Sequence, residues 1–211
     1  MTGSPADEIT EINVAMEKWR QGDLFLAEDL FFIHLANLSR PLTNEAAELA
    51  TERVEASEPL EVEGVASAVI GYVVITQTCD IARDCKTRSY VEICPLVEVD
   101  DSTLKEIRLL RRPAFAFVPG SAHLKLVADL DRVITVEKAF LSDYEPISGC
   151  RGDSERRAFA DALARHKIRP AFPDDFNVCL GPVRDHLKKI HRRNDAEGGL
   201  KIGRASCRER V

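Results

Sequence analysis

Cys79 and Asp80 close the segment Gly71-Tyr-Val-Val-Ile-Thr-Gln-Thr-Cys-Asp80, and the Gln77 amide stands two residues before the thiol. A nucleophilic cysteine needs a cation or a helix N-terminus to lower its pKa, and a base within hydrogen-bond reach. Arg83 and Lys86 are close in sequence, whereas His34 and His123 can approach only through the fold. Asp80 works in the opposite direction, because a neighbouring negative charge disfavours the thiolate. Two readings stay open. In one, Cys79 is a nucleophile or redox thiol oriented by Asp80 and Gln77. In the other, it is a structural thiol before a turn-forming aspartate, since free cysteine is among the most buried residue types.

Other chemistry is less sharply patterned. Cys79, Cys85 and Cys94 have no Cys-x-x-Cys knuckle among them, so no metal site is expected. His186 and His191 sit five apart, imperfectly aligned on a helix and without a glutamate motif. No Walker loop, dinucleotide glycine fingerprint or nucleophile elbow occurs, which argues against an NTPase, a nicotinamide enzyme or an ordinary hydrolase. No cofactor is expected. The best polyanion-binding candidates are Arg156, Arg157, Arg165, Lys167, Arg169, Lys188 and Lys189, within a stretch 151–193 that holds 11 basic and 6 acidic residues. Solvated helix faces explain the same charges.

These residues must be carried by recognisable elements. Tyr72–Gln77 is an apolar, β-branched run that reads as a buried strand delivering polar side chains to a sheet edge. Residues 6–19 have helical spacing (Ile9, Ile12, Met16, Trp19), and Gln21-Gly22-Asp23 is a turn. Leu24–Leu35 alternates poorly and fits a strand with a hairpin or a helix. Asn44 is placed to cap an Ala/Glu-rich helix to about Ala56. Strands are expected near Leu60–Glu63 and Tyr90–Pro95. The short apolar runs Ile107–Arg111 and Phe115–Val118 follow. Leu124–Leu130 and Arg132–Val136 read as two strands or one bent strand. Beyond Gly149, Asp153 or Ser154 can cap a helix to about Lys167, with Phe159 and Leu163 facing inward. A second helix opens at Pro173-Asp-Asp175, presents Phe176, Leu180, Val183, Leu187 and Ile190 on one face, and should kink at Gly181-Pro182.

The chain has 211 residues and a net charge of −6, ordinary for a soluble globular protein. The charge is uneven: residues 1–100 hold 19 acidic and 7 basic residues, whereas residues 101–211 hold 16 and 22. That asymmetry permits a polyanion-facing C-terminal surface. No run reaches the roughly 18 apolar residues of a membrane span, and the acidic N-terminus lacks an export core. A cytoplasmic protein with reduced thiols and no membrane partner is therefore expected.

Three pieces are similar in order and approximate spacing to the PemK/MazF toxin ribonucleases. Arg20-Gln-Gly-Asp23 resembles that family's opening Arg-Gly-Asp turn. Tyr72-Val-Val-Ile-Thr76 followed by Val91-Glu-Ile-Cys-Pro-Leu96 resembles its paired core strands. Ala128–Lys138 resembles its late strand, which ends in a "threonine, apolar, acidic, basic" pattern. The match covers roughly 19–140, with an insertion at about 36–66. The resemblance implies a small SH3-like barrel, a dimer, and metal-independent cleavage of single-stranded RNA. The family's catalytic arginine falls here at Val69-Ile70-Gly71 and its catalytic serine or threonine at Val97, so neither catalytic residue is carried over. The whole chain also resembles a group of bacterial proteins of uncharacterised activity. They pair a strand ending in Gln-Thr-Cys-Asp with an Arg-Pro-Ala-Phe-Pro-Asp segment, here Arg169–Asp174. Ile202–Val211 resembles the translation of a short-read sequencing adapter and is set aside from the fold, the native chain being expected to differ beyond about Lys201.

The expected protein is α+β. A small, partly open SH3-like β-barrel over 20–148 carries a helical insertion at about 43–57, an N-terminal helix over 1–19, a helical segment over 150–195 and a disordered tail over 196–211. The expected function is nucleic-acid binding or regulation of the toxin–antitoxin or phage-defence type, with RNA or DNA, a protein partner or a second copy as partners. The alternative is an enzyme, either a divergent metal-independent ribonuclease or a thiol activity centred on Cys79.

Overall fold

The structure, a computed structural model, describes residues 5–168 and, further along, 180–183, 185–187 and 189–190. The chain divides into two units, the first ending at Ile168. In the second unit the described residues are helical, Gly181 and Pro182 included, and Leu180, Val183, Leu187 and Ile190 are exposed. The expected helix opening at Pro173, the segment Arg169–Asp174 and the tail lie outside the described residues.

The first unit runs α1 (Pro5–Met16), β1 (Leu24–Asn37), α2 (Asn44–Glu55), β2 (Val62–Val74), α3 (Thr78–Ile81), β3 (Tyr90–Glu98), α4 (Asp101–Arg108) and β4 (Phe115–Phe117). A 3-10 turn (Pro119–Leu124) leads to β5 (Leu126–Asp129), β6 (Ile134–Glu137), α5 (Lys138–Ser142) and α6 (Asp153–Lys167). Leu24–Leu35 is thus strand, continuous to Asn37. The strand begun near Leu60 and the strand at Tyr72 are one element. Helix α2 is capped by Thr43 rather than Asn44: the Thr43 hydroxyl accepts the Ala46 N–H at 3.2 Å. The run Ile107–Arg111 straddles the end of helix α4, with Ile107 and Arg108 in its last turn and Leu109–Arg111 in the turn beyond; Asp100 caps the helix by accepting the Thr103 N–H at 2.9 Å.

All strand pairings are antiparallel, in the order β1-β2-β3-β5-β4, with β6 also on β3. Ile93 of β3 pairs with Val74 on one side and Ile134 of β6 on the other. Strands β5 and β6 therefore follow one another along the same edge of β3, with a register break at the turn between them. In that turn the Asp129 carboxylate accepts from the Asp131 N–H and from Arg132 Nε.

The sheet does not close into a barrel. Strands β1 and β4 end the strand order, and beyond its ladder with β2 the first strand makes a single bridge, Leu24 to Ile147, among the described residues. The physical reason lies at both ends. Strand β1 has a bulge between Leu26 and Leu30, beyond which Leu30–Asn37 pairs only with Val62–Val69 as a two-stranded ribbon. Strand β4 is three residues long and is packed by α4 and α6.

Two apolar clusters fill the body. One joins Leu24, Val73, Ile75, Cys94, Leu96, Val118 and Cys150 to Phe159 and Ala162 of α6. The other joins Met16 and Trp19 to Phe25, Tyr72, Val74, Val91, Ile93 and Leu141. Successive residues Tyr72, Val73, Val74 and Ile75 divide between the two, so this strand is buried on both faces. That is why its sequence does not alternate.

Candidate functional site

The end of β2 is held on two sides. The Ile75 and Thr76 N–H groups reach the Glu92 carbonyl at 3.0 and 3.4 Å. The Thr76 hydroxyl accepts the Glu92 N–H at 2.6 Å. On the other side the Arg20–Asp23 turn docks onto the strand. Gly22 N–H donates to the Val74 carbonyl at 2.8 Å, and Val74 N–H donates back to the Asp23 carbonyl at 2.8 Å. Gly22 has φ +90°, and a Cβ there would stand 2.9 Å from Cys150 Sγ, so glycine is required. The Asp23 carboxylate accepts the Arg20 N–H at 2.8 Å; burial pushes its pKa up, while backbone N–H groups of Arg20 and Gly149 pull it down.

Gln77 then turns the chain into α3, a single helical turn. The Thr78 hydroxyl accepts the Gln21 N–H at 3.0 Å, and the Gln21 side-chain amide donates to the Ile75 carbonyl at 2.8 Å. The Asp80 carboxylate lies 3.1 Å from Arg88 Nη2 and 3.4 Å from Arg83 Nε. Beneath this turn is Lys138, only 1% exposed, whose Nζ donates to the carbonyls of Asp80 at 3.1 Å and Arg83 at 2.6 Å. Burial lowers its pKa, because desolvation penalises the ammonium. Sequence reasoning placed Lys138 only as the last residue of a strand-end pattern. The available signal was a lone cation directly following the alternating strand Ile134–Glu137.

Cys79 is exposed, and Sγ has Gln77 Oε1 at 3.7 Å as its hydrogen-bond partner. Arg83 is engaged with Asp80, and His34 lies 3.4 Å from the Thr43 hydroxyl. Neither the cation nor the base that a nucleophile requires is bonded to the thiol among the described residues. Cys85 Sγ points to the Ile9 carbonyl of α1 at 3.9 Å. Cys94 and Cys150 are buried in the first cluster, where desolvation pushes both thiols up, Cys150 to about 11. Among the described residues no three His, Cys, Asp or Glu side chains converge as metal ligands would.

A cleft of about 910 Å³ joins these parts. Gln77, Asp80 and Arg88 line it from the end of β2 and the segment that follows, and Tyr90 and Glu92 from the start of β3. Ala160, Leu163, Ala164, Lys167 and Ile168 line it from α6, and Gln21, Thr76 and Thr135 contribute hydroxyl and amide groups. Lys167 Nζ is 3.6 Å from Glu92 Oε2 across the cleft, and Tyr90 is 57% exposed.

The structure thus brings Gln77 and Asp80 together with Lys167, but Cys79 is not among the lining residues. The other basic candidates divide. Arg156 and Arg157 lie about three turns N-terminal of Lys167 on α6; Arg156 pairs with Asp153 at 3.1 Å and Arg157 is exposed. Arg165 is exposed on the outer side of α6, away from Phe159. Lys189 is exposed in the second unit. Arg169 and Lys188 lie outside the described residues.

No protein-family model, curated protein or solved structure matches this chain. No helix among the described residues is long and apolar enough to cross a membrane.

Proposed function

We propose that this protein is a nucleic-acid-binding regulator of the toxin–antitoxin or phage-defence type, working in the cytoplasm on a partly open SH3-like barrel akin to the PemK/MazF toxins. In this reading the cleft beside α6 receives a short stretch of single-stranded RNA. The make-up of the cleft walls carries it. Arg88 and Lys167 offer charge to phosphates, and exposed Tyr90 offers a ring on which a base stacks. Asp80 and Glu92 sit beside cations and are placed to accept from base amino groups. The volume lies within the range of about 300–1,000 Å³ common to ligand sites.

Binding is favoured over cleavage by what fills the two positions where the resembled toxins keep catalytic groups. Gly71 lies against the Phe25 backbone, and Val97 is partly buried beside Leu104 and Val127.

Fluorescence anisotropy with a labelled single-stranded RNA tests the proposal. Affinity should fall as salt rises, with a log–log slope of roughly −1.5 for two phosphate contacts. Lys167→Glu and Tyr90→Ala should each weaken binding about tenfold or more, whereas Cys79→Ala should leave it unchanged. Absent or salt-independent binding overturns the proposal. Metal-independent cutting of the RNA would move the assignment to a ribonuclease.

A further inference from the structure

The ribbon of β1 and β2 has two unlike faces. One is packed: Leu30, Phe32 and Val65 are buried, α2 covers part of it through Ala46 and Ala50, and the Arg132 guanidinium lies 5.5 Å over the Phe32 ring. The other is bare. Along β1 it shows Phe31, Ile33 and Leu35 at 50, 62 and 78% exposure, and along β2 it shows Val62 and Ile70 at 62 and 47%. Directly opposite Phe31, Ile33 and Leu35 the ladder sets Ala68, Ala66 and Gly64, all exposed. A row of large apolar side chains therefore stands beside a row of the smallest ones, as a ridge beside a furrow.

We propose that this face is the docking surface for a second copy of the chain, related by a two-fold axis, with each ridge of Phe31, Ile33 and Leu35 seated in the furrow of the other copy. A two-fold interface must present one self-complementary patch, and a ridge flanked by a furrow of matching length meets that condition. The area is sufficient. A large side chain covers roughly 150–200 Å², so the five side chains at 47–78% exposure offer on the order of 500 Å² per copy. Two such faces remove about 1,000 Å² in total, the size at which specific interfaces begin. No charged side chain stands among the paired positions Phe31–Leu35 and Gly64–Ala68 of this face, so self-pairing brings no like charges together there.

Sedimentation equilibrium of the full chain at up to about 100 μM tests the proposal. The wild type should show twice the monomer mass. Ile33→Glu and, separately, Ala66→Trp, which fills the furrow, should each raise the dissociation constant at least about tenfold. Both sites are exposed, so the circular dichroism spectrum should be unchanged; loss of that spectrum in one variant leaves the other to decide. A monomeric wild type overturns the proposal, whether or not another protein binds the face. So does a dimer that both folded variants preserve.

Discussion

At the scale of single residues, burial decides what each polar group can do. Cys79 and Lys138 make the contrast. The thiol that sequence pattern singles out stands in solvent with an amide as its partner, while an unremarked lysine is buried and ties down the turn that carries Asp80. Its two acceptor carbonyls would otherwise lose their partner, a loss worth about 1–3 kcal/mol for a buried group. Tyr72 shows the same control by burial. Its hydroxyl donates to the Phe31 carbonyl at 2.7 Å, and burial pushes the phenol up to about 12 from 10.0. In the unfolded chain a tyrosine ionises near pH ~10. Between about 10 and 12 the folded state keeps a proton that the unfolded state has lost. This contribution is therefore complete below pH ~10 and is lost as pH rises towards 12. Tyrosinate absorbance of the native protein should show one of the three tyrosines titrating near 12. Tyr72→Phe should abolish that late step; three tyrosines ionising together near 10 would contradict the assignment.

At the scale of elements, the strand delivering Gln77 depends on close backbone approach. A Cβ on Gly71 would collide with the Phe25 carbonyl oxygen and with Leu26 Cδ2. Those atoms belong to β1 just before its bulge, where the two strands cross from the body into the ribbon. Gly71→Ala should therefore destabilise strongly, by about 3 kcal/mol or more, because backbone cannot yield as a flexible side chain can. Gly152 is the matched control. Nothing lies within 4 Å of its Cβ position and its φ of −157° is extended, so Gly152→Ala should cost only about 1 kcal/mol, the loss when alanine replaces a favourable N-cap, here that of α6. Urea midpoints of the two variants give the comparison, and equal midpoints would refute the close-approach account. The helix α6 is positioned by Phe159 and Ala162 in the first cluster, which turns Ala160, Ala164 and Lys167 towards the cleft.

At the scale of the molecule, among the described residues every cluster residue falls between Ile12 and Leu163, and every residue lining the cleft lies at or before Ile168. The first unit therefore contains its own core. A chain ended after Ile168 should unfold in one cooperative urea transition with a midpoint close to that of the full chain. A non-cooperative transition would show that residues beyond Ile168 are needed for the core. The open sheet leaves one face of the long β1–β2 ribbon in solvent, with Phe31, Ile33 and Leu35 exposed.

Local pattern determined a good deal: the helix at α1, the helix at α2 to within one capping residue, the buried strand at Tyr72, the strand at Tyr90, and α6 with Phe159 inward. Each follows from periodicity, capping chemistry or β-branched runs, which act over a few residues. Helix α4 is not legible in the same way: Asp100 and its neighbours form a cap, but the apolar run at the helix end suggests a strand. Other features were settled only by tertiary structure. The sequence names Gln77, Asp80 and Lys167 as candidates but contains no term for their distance apart. That was decided by the packing of α6 against the sheet through Phe159. Equally, the order of residues 24–74 does not say which ribbon face α2 covers. The unbroken apolar run Leu30–Ile33 puts apolar side chains on both faces, and only the position of one helix leaves Phe31, Ile33 and Leu35 in solvent.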